Sequence, residues 1–395
     1  MEFASKSDES DESDERPRVI GLGTVGLDYI AFVDSYPVPD SKVRSSSSPA
    51  IGGGGNVGNT LTAISRLGLC KGALITQVGD DGHGKQVVDE LEIDGVNTEG
   101  VLQNPQISTP FTYILVDKCQ DTRTCIHTPM AHELTTEDVD ASLAKQRVPS
   151  CLHLDSRQTE AALHVVKSYR SMGGAIPLIS VDCEKDRPPY MQSLVDLCDV
   201  AFTNEYYPLT LPFGDSDRDG TEEQGLLMGL GSAPHPPKDL EKVRRILSGM
   251  AAMIDHYTHV DMVVTSLGAD GSVLLQKGPI FESAAHPVTR FGFKVSAGAD
   301  PLHGQYCPAC PMGGESEFGA VVDTTGAGDA YIGGFLSQYL HDKQASLSAA
   351  LITGTLTAAA KISVPGARAG LPRGAEGKKM VELRKKFHDY FHTHT

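Results

Sequence analysis

The stretch V-V-D-T-T-G-A-G-D-A-Y, residues 321–331, is the most informative part of this sequence. It predicts an apolar strand that ends at Asp323, a turn of small residues, and a helix that opens around Asp329. The glycines on either side of Ala327 would leave backbone N–H groups exposed at the helix N-terminus, which is an anion site by geometry and by dipole. A carboxylate beside that site would meet a hydroxyl next to a transferring phosphate, as phosphoryl transfer requires.

The same residues have a simpler interpretation. In this interpretation Asp329 serves simply as a helix cap, and the glycines serve simply to form a turn. Spacing alone does not separate the two interpretations. Both place Ala330, Ile332 and Phe335 on the inner side of the helix.

Short apolar runs that predict buried strands alternate along the chain with amphipathic helical patterns. The predicted strands are residues 18–22, 73–78, 151–154, 176–181, 200–203 and 260–266. Helical patterns lie between them, for example at residues 59–67 and 160–171. This alternation predicts an α/β fold with a parallel sheet covered by helices on both faces.

Two segments interrupt this alternation, residues 29–48 and 110–128, and both show strand-like patterns in polar surroundings. They predict a small antiparallel sheet that projects from the main domain as a lid, with boundaries near residues 29–50 and 107–131. Residues 209–237 are rich in Gly, Asp and Pro and predict a surface insertion.

The composition limits the size, class and partners of the protein. A chain of 395 residues, 40% apolar and 22% charged, suits one large domain, predicted at residues 18–380, with a C-terminal helix or tail at 381–395. No apolar run approaches the roughly 20 residues of a membrane-spanning helix. The 34 Lys and Arg against 51 Asp and Glu give a net charge of -17, which argues against a nucleic-acid partner.

The N-terminus and the cysteines favour the cytoplasm. Residues 7–15, S-D-E-S-D-E-S-D-E, belong to a predicted disordered acidic tail at residues 1–17, which has no apolar face to bury. Eight scattered cysteines do not suggest a disulfide framework. The pair Cys307 and Cys310 could belong to a zinc or redox site, but no second C-x-x-C follows, and we expect two ordinary strand residues.

The sequence D-T-T-G-A-G-D-A-Y-I-G-G-F, residues 323–335, resembles the C-terminal signature of the PfkB, or ribokinase-like, carbohydrate kinase family. The resemblance implies a ribokinase-like three-layer αβα sandwich with a small β-sheet lid. It implies an ATP-dependent kinase that phosphorylates a hydroxyl of a small sugar, polyol or nucleoside. Asp329 would then be the general base, and the amides of Gly326, Ala327 and Gly328 would form the anion hole.

The sequence I-G-G-G-G-N-V-G-N-T-L-T-A-I-S-R-L-G, residues 51–68, resembles the other signature of this family, a glycine-rich turn that leads into a helix. Glycines would let a polyol approach the backbone, and an asparagine offers both a donor and an acceptor. Four consecutive glycines leave open which pair is equivalent to the family's pair. We assign Gly52, Gly53 and Asn56 to substrate binding, with Asn59 as a further candidate.

The pattern G-x-G-x-x-G at residues 21–26 has two interpretations. As a dinucleotide fingerprint it would favour an NAD-dependent oxidoreductase, but it should then lead into a helix and an acidic residue about twenty positions on. A strand-like segment follows instead. In the kinase family this place carries an aspartate that binds substrate hydroxyls, and Asp28 fits that role.

The resemblance also implies the nucleotide contacts. T-S-L-G-A-D-G at residues 265–271 resembles the strand and turn along ATP, and S-V-P-G-A at residues 363–367 resembles a late turn beside the adenine. The candidate residues are Thr265, Leu267, Gly268, Gly271, Gly366 and Ala367.

Metal sites follow from the resemblance only in part. Many relatives bind a monovalent cation such as K⁺ at the positions of Asp323 and Thr325. The family often has N-x-x-E after a central strand, where the glutamate helps to organise Mg²⁺ and phosphate. Here that position is Tyr207, so the expected contacts to Mg²⁺ and ATP are limited to Asn204 and the neighbouring Glu205.

The expected partner is a small-molecule acceptor, with no nucleic acid and no membrane, and a homodimer through the lid is a further expectation. An inactive family member that only binds ligand is the main alternative, although Asp329 and the G-A-G turn are intact.

Overall fold

The computed structural model describes residues 14–120, 122–172, 176–212, 230–231, 233, 235–279, 287–293, 302–313, 318–341 and 346–393. Residues 1–13 of the predicted acidic tail are therefore outside the described residues. Most of the predicted insertion at 209–237 is outside them as well. The last residues of that predicted tail contact the domain. Asp14 lies 3.2 Å from the Lys71 ammonium, and Arg16 donates a hydrogen bond to the Gly68 carbonyl.

The described chain alternates strands and helices much as the apolar pattern predicts. The strands are β1 Arg18–Leu22, β2 Gly26–Val33, β3 Ala50–Gly54, β4 Lys71–Gly79, β5 Asn97–Asn104, β6 Phe111–Asp117, β7 Thr122–Thr128, β8 Cys151–Leu154, β9 Leu178–Cys183, β10 Val200–Asn204, β11 Met262–Ser266, β12 Ser272–Gln276, β13 Thr289–Phe293 and β14 Leu302–Cys307. The helices are α1 Asn56–Leu67, α2 Gly82–Ile93, α3 Thr136–Leu143, α4 Thr159–Ser171, α5 Met191–Val195, α6 Tyr207–Thr210, α7 Leu240–His256, α8 Ala327–His341, α9 Leu347–Ile362 and α10 Lys378–Thr393. None of these described helices has both the length and the apolar character needed to cross a membrane.

Ten of the described strands form one sheet in the order β13-β14-β12-β11-β10-β9-β8-β1-β4-β5. The strands from β11 to β5 are parallel, as predicted, whereas β12, β14 and β13 extend the sheet in antiparallel directions. The reversal follows from the connection between β11 and β12. A single 3₁₀ turn, Gly268–Asp270, links them, and so short a link joins only antiparallel neighbours.

Two hydrophobic cores lie on opposite faces of this sheet. One contains side chains of α3, α4, α5 and α7, including Val139, Val165 and Ile246. The other contains side chains of α1, α2, α8, α9 and α10, including Phe335 and Phe387. Helices on both faces of a central sheet make the predicted three-layer αβα sandwich, and the C-terminal helix packs into it.

The lid is a second sheet in the order β3-β2-β6-β7. A small second sheet is present as predicted, but it is not wholly antiparallel, because β2 and β6 run parallel. Each of these strands follows a parallel strand of the large sheet, β1 and β5 respectively, so both leave the same edge in the same direction. Residues 50–54, predicted as part of a glycine-rich turn, form the edge strand β3 and pair with β2.

The predicted strand before Asp323 is wrong. Val321 and Val322 are extended but unpaired with any described strand, and they are 52% and 49% exposed. The segment is held by the end of α9 instead, where the Ile362 carbonyl accepts hydrogen bonds from the amides of Val322 and Asp323 at 2.8 and 3.1 Å.

Candidate active site

Close packing of α1 against α8 brings the two glycine-rich motifs together. A Cβ atom on Gly333 would lie 2.6 Å from the Ala63 side chain and 2.8 Å from the Thr60 carbonyl, so only glycine permits this approach. As a result Asn59 reaches the first turn of α8, where its Nδ2 donates a hydrogen bond to Oδ2 of Asp329 at 2.8 Å.

Asp329 is a buried carboxyl, 7% exposed. Burial raises its pKa to about 7, because desolvation disfavours the charged form. The hydrogen bond from Asn59 acts in the opposite direction, while the charges of Glu184 and Asp155 raise the pKa further. A carboxyl that titrates near neutral pH is well suited to accept a proton in a general-base step.

The turn before α8 presents its backbone to the space in front of Asp329. The Ala327 amide is already used within the turn, since it donates to the Thr324 carbonyl at 3.2 Å. Within the described part of the chain, no acceptor lies against the amides of Gly326 and Gly328, and Gly328 is exposed. Two of the three amides assigned to the anion hole are thus available at the helix N-terminus.

Arg368 was not predicted, although it follows the late turn directly. Its side chain is buried, its Nε donates to Oδ1 of Asn59 at 2.9 Å, and its Nη2 donates to the Gly54 carbonyl at 2.8 Å. These bonds turn the amide of Asn59 so that its NH₂ group faces Asp329. Arg368 therefore orients the donor that stabilises the charged form of Asp329.

A second hydrogen-bonded pair, of which Asp182 is the buried member, lies beside Asp329. Asn56 donates from Nδ2 to Oδ2 of Asp182 at 3.1 Å. Burial raises the pKa of Asp182 to about 8, and the charge of Asp329 raises it further. Asp182 was not predicted either, but a signal exists, because it is a carboxylate near the carboxyl end of the otherwise apolar β9, where ligands bind in open α/β sheets.

Asp28 is the third residue of the lid strand β2. Burial raises its pKa to about 6, against the effects of the Arg368 charge and a hydrogen bond from Thr112. A Cβ atom on Gly54 would lie 2.4 Å from the Asp28 carboxylate, whereas one on Gly52 would meet nothing within 4 Å.

The other assigned glycine, Gly53, faces away from that carboxylate. Its amide donates to Glu90 at 2.6 Å, and a Cβ atom there would meet Arg368 at 2.2 Å. The structure thus brings Gly54, rather than Gly52 or Gly53, against Asp28.

The lid contributes further polar groups on the side of Asp28. Thr112 lies opposite Asp28 in the β2–β6 ladder, and His127 lies opposite Thr112 in the β6–β7 ladder. The Thr112 hydroxyl and His127 Nδ1 are 3.1 Å apart. Partial burial lowers the pKa of His127, and the charge of Arg157 lowers it further. Near pH 7 its neutral ring therefore offers one hydrogen-bond donor and one acceptor.

The residues expected near Mg²⁺ are engaged elsewhere. Asn204 Oδ1 accepts from the amides of Tyr206 and Tyr207 at 3.0 and 2.9 Å. Glu205 forms an ion pair with Lys242, 2.7 Å apart. Neither side chain fits a metal-binding role, so we assign no step to a protein-bound Mg²⁺.

A different carboxylate lies nearer the base. Glu184, just after β9, pairs with Arg157 at 2.6 Å and with Arg187 at 3.0 Å, and its charge raises the pKa of Asp329. Glu184 is therefore held in ion pairs with two guanidinium groups.

Two of the nucleotide candidates are buried, and two others are glycines in turns with open space around them. Thr265 is fully buried in a central strand and its hydroxyl bonds to that of Thr203 at 2.6 Å, and Leu267 is only 4% exposed. By contrast, Gly268 and Gly366 have positive φ, and a Cβ atom on either would meet nothing within 4 Å.

The remaining glycine and alanine of these turns serve packing. A Cβ atom on Gly271 would lie 2.1 Å from the Cys307 carbonyl, and Ala367 packs against Gly326. Cys307 ends β14 as expected, but Cys310 lies beyond the strand, and both thiols are buried.

Asp323, one of the two residues expected to bind a monovalent cation, contacts the ammonium group of Lys361. Asp323 accepts hydrogen bonds from the Thr325 amide at 2.8 Å and from the Gly366 amide at 2.7 Å. Its backbone carbonyl accepts one from the Lys361 ammonium at 2.6 Å. Burial opposes ionisation of Asp323, but these amides and the charge of Lys361 outweigh it and lower the pKa.

Comparison with known proteins identifies the family of this chain. The model of the pfkB family of carbohydrate kinases matches residues 17–207 and 316–373, together more than half of the chain. The ribokinase of Haemophilus influenzae is 22% identical, over 91% of this chain and 97% of that protein. The bifunctional ribokinase/ribose-5-phosphate isomerase A of Fructilactobacillus sanfranciscensis is 23% identical over 90% of this chain, which spans 54% of that protein's length.

Solved structures show the same fold. The ribokinase of Arabidopsis thaliana, complexed with ribose and ATP, superposes with a TM-score of 0.64 at 18% identity, covering 94% of this chain and 99% of that one. The fold is therefore ribokinase-like. The chain belongs to the pfkB family of carbohydrate kinases, phosphotransferases that use an alcohol group as acceptor.

Proposed function

We propose that this protein transfers the γ-phosphoryl group of ATP to a hydroxyl of a small neutral sugar, polyol or nucleoside, with Asp329 as the general base. The observation that carries the proposal is a buried carboxyl with a pKa of about 7 in the first turn of α8, directly after the G-A-G turn. A base and an anion site on adjacent residues are the two elements that this transfer needs from a protein.

In the proposed reaction, the acceptor hydroxyl gives its proton to the Asp329 carboxylate. The acceptor oxygen forms a bond to the γ-phosphorus as the bond from that phosphorus to the β–γ bridging oxygen breaks, and ADP leaves with the electron pair. The amides of Gly326 and Gly328 would stabilise the charge on the phosphoryl oxygens. Asn59, oriented by Arg368, keeps Asp329 ionised often enough to act near pH 7.

The charges around the base favour a neutral acceptor. Asp28, Asp182 and Asp329 all offer carboxyl groups, and Asn56 and Thr112 add further hydrogen-bonding partners. Carboxylates accept hydrogen bonds from neighbouring hydroxyls but repel a phosphate or carboxylate on the acceptor. We infer a compact acceptor with several hydroxyls and no negative charge.

Two further assignments extend the proposal. A row of side chains, Ile51, Tyr29, Tyr113 and Ile126, crosses the four lid strands in register, and three of them are at least half exposed. An exposed apolar row of this kind favours a homodimer through the lid.

All eight cysteines are free thiols, which suits the reducing cytoplasm.

The test is a panel of neutral pentoses, hexoses, polyols and nucleosides, together with their phosphorylated forms, assayed with ATP and Mg²⁺. We expect phosphorylation of at least one neutral compound and none of its phosphorylated analogue, measured by mass spectrometry of the product. Asp329→Asn should lower kcat by about 10³-fold while ATP still binds.

Two results would count against the proposal. Turnover of Asp329→Asn within about tenfold of the wild type would remove Asp329 as the base. Tight ATP binding without turnover of any acceptor would favour the inactive, ligand-binding alternative.

A further inference from the structure

Lys361, near the end of α9, is a fully buried lysine, 0% exposed. Its ammonium lies 2.6 Å from the Asp323 carbonyl oxygen and 3.9 Å from Oδ2 of the same residue. Lysine is almost never fully buried unless it is paired. The contact between its ammonium and the Asp323 carbonyl oxygen is a pairing of this kind.

Three segments of the active site meet at Asp323, the partner of this ammonium. The turn before α8 contributes Asp323, the end of α9 contributes Lys361 and Ile362, and the late turn contributes Gly366. The Ile362 carbonyl accepts from the Asp323 amide at 3.1 Å, and the Asp323 carboxylate accepts from the Gly366 amide at 2.7 Å. The ammonium therefore stabilises the segment that shapes the anion hole.

The same position is where the family resemblance implies a monovalent cation. A metal ion bound to the Asp323 carbonyl and carboxylate would share those oxygens with the ammonium. Two positive charges a few ångströms apart in a buried site repel each other strongly. With Lys361 in place, the residues present do not fit an exchangeable K⁺.

We propose that Lys361 is a built-in cation, which holds the turn at Asp323 in the shape needed for phosphoryl transfer and makes the enzyme independent of K⁺. Lys361 acts through the turn and is a positioning residue, not a catalytic one. The activity readouts rest on the proposed kinase function, whereas the melting-temperature readouts do not.

The first test uses the unaltered protein. Turnover and melting temperature are measured with K⁺ replaced by tetramethylammonium at a constant ionic strength of about 0.1 M. We expect both to be the same in the two salts, with turnover equal within about twofold. Activation by K⁺ of about tenfold or more would overturn the proposal.

The second test compares two replacements of Lys361. Lys361→Ala removes the charge and leaves room for an ion, so we expect activity that is low in tetramethylammonium and rises about tenfold or more in K⁺ or NH₄⁺. The same ions should raise its melting temperature, because a ligand that binds only the folded state stabilises it. Lys361→Met removes the charge but fills the space, so neither ion should restore it.

Lys379→Ala is the matched control. The Lys379 ammonium donates to the carbonyls of Ala360 and Gly370 at 3.2 and 3.1 Å, beside the same helix end but away from Asp323. Its loss should not create a response to K⁺. If Lys361→Ala folds and neither its activity nor its melting temperature responds to K⁺ or NH₄⁺, the proposal is wrong; if that variant does not fold, the salt comparison on the wild type decides.

A wild type that phosphorylates no acceptor would refute the proposed function alone. The melting temperatures of the wild type and Lys361→Ala in the two salts would still report whether the ammonium replaces an ion.

Discussion

Replacing Asn59 by leucine should move the pH dependence of the reaction. The change removes the 2.8 Å hydrogen bond to Asp329 but keeps a side chain of similar volume, so water does not simply take the place of the amide. That bond stabilises the charged form of Asp329 and holds its pKa down. Without it, the base should be protonated over a wider pH range.

The size of the shift follows from the type of bond. A hydrogen bond to a charged group contributes about 1.5–3 kcal/mol, and 1.36 kcal/mol corresponds to one pKa unit. The pKa of Asp329, about 7 in the intact site, should therefore rise by about 1–2 units. At pH 7 the ionised fraction would fall from about one half to about 1–10%.

The assay is kcat/KM for the acceptor between pH 5.5 and 9.5, which reports the ionisation of the free enzyme. For the wild type we expect a rise with pH through about 7, because Asp329 must lose its proton to act. For Asn59→Leu the rise should come about 1–2 units later, with most of the activity recovered at the alkaline end.

Asn56→Leu is the matched control for this experiment. Asn56 starts the same helix but donates to Asp182, so its loss should weaken acceptor binding without moving the rise to higher pH. A loss of activity in Asn59→Leu that is equal at every pH would refute the reasoning. Asn59 would then bind substrate without tuning the base.

Three further predictions concern the acceptor side of the site. Asp28→Ala should raise the acceptor KM about 30-fold or more and leave the ATP KM within about twofold, since a buried hydrogen-bonding partner is lost; a change confined to ATP would place Asp28 on the nucleotide side. Gly54→Ala should weaken acceptor binding, because its Cβ would lie 2.4 Å from the Asp28 carboxylate. Gly52→Ala should bind the acceptor normally, because its Cβ would meet nothing within 4 Å. Equal effects in the two variants would contradict the geometry. The pKa of Asp182 is about 8 in the folded protein and about 3.9 in the unfolded chain. Between these two pH values the folded state binds more protons than the unfolded state. The stability of the folded protein must therefore fall as the pH rises from about 3.9 to about 8. Asp182→Asn should thus melt at a higher temperature than the wild type at pH 8 and show a smaller fall between pH 5 and pH 8, and a steeper fall would show that another group dominates.

The central sheet could be predicted from sequence because its strands are continuous apolar runs buried on both faces. Its antiparallel edge could not, since direction depends on the short link at Gly268–Asp270 rather than on the apolar pattern. Three of the five residues 50–54 are glycine, which has little intrinsic preference for a strand. They become one because β2 offers a partner for pairing. Val321 and Val322 have that preference, but no described strand pairs with them.

The candidate site divides in the same way. Asp329, the glycine turn and Asp28 could be predicted because they belong to recognisable motifs. Asp182, Arg368 and the orientation of Asn59 could not, because they depend on contacts between residues that are far apart in the chain. The Arg368–Asn59 bond spans 309 positions, and helix packing rather than local sequence determines which side chains meet there.

The bond between Asn59 and Asp329 also has a consequence for the order of events during synthesis. Its partners are 270 positions apart, so at about 5–20 residues per second Asn59 leaves the ribosome roughly 15–55 s before Asp329. Throughout that interval α1 has no α8 to cover the helix face that carries Asn59, Thr60 and Ala63. A nascent chain that ends before residue 327 would lack the base and the anion site together, and it would present this uncovered helix face to chaperones.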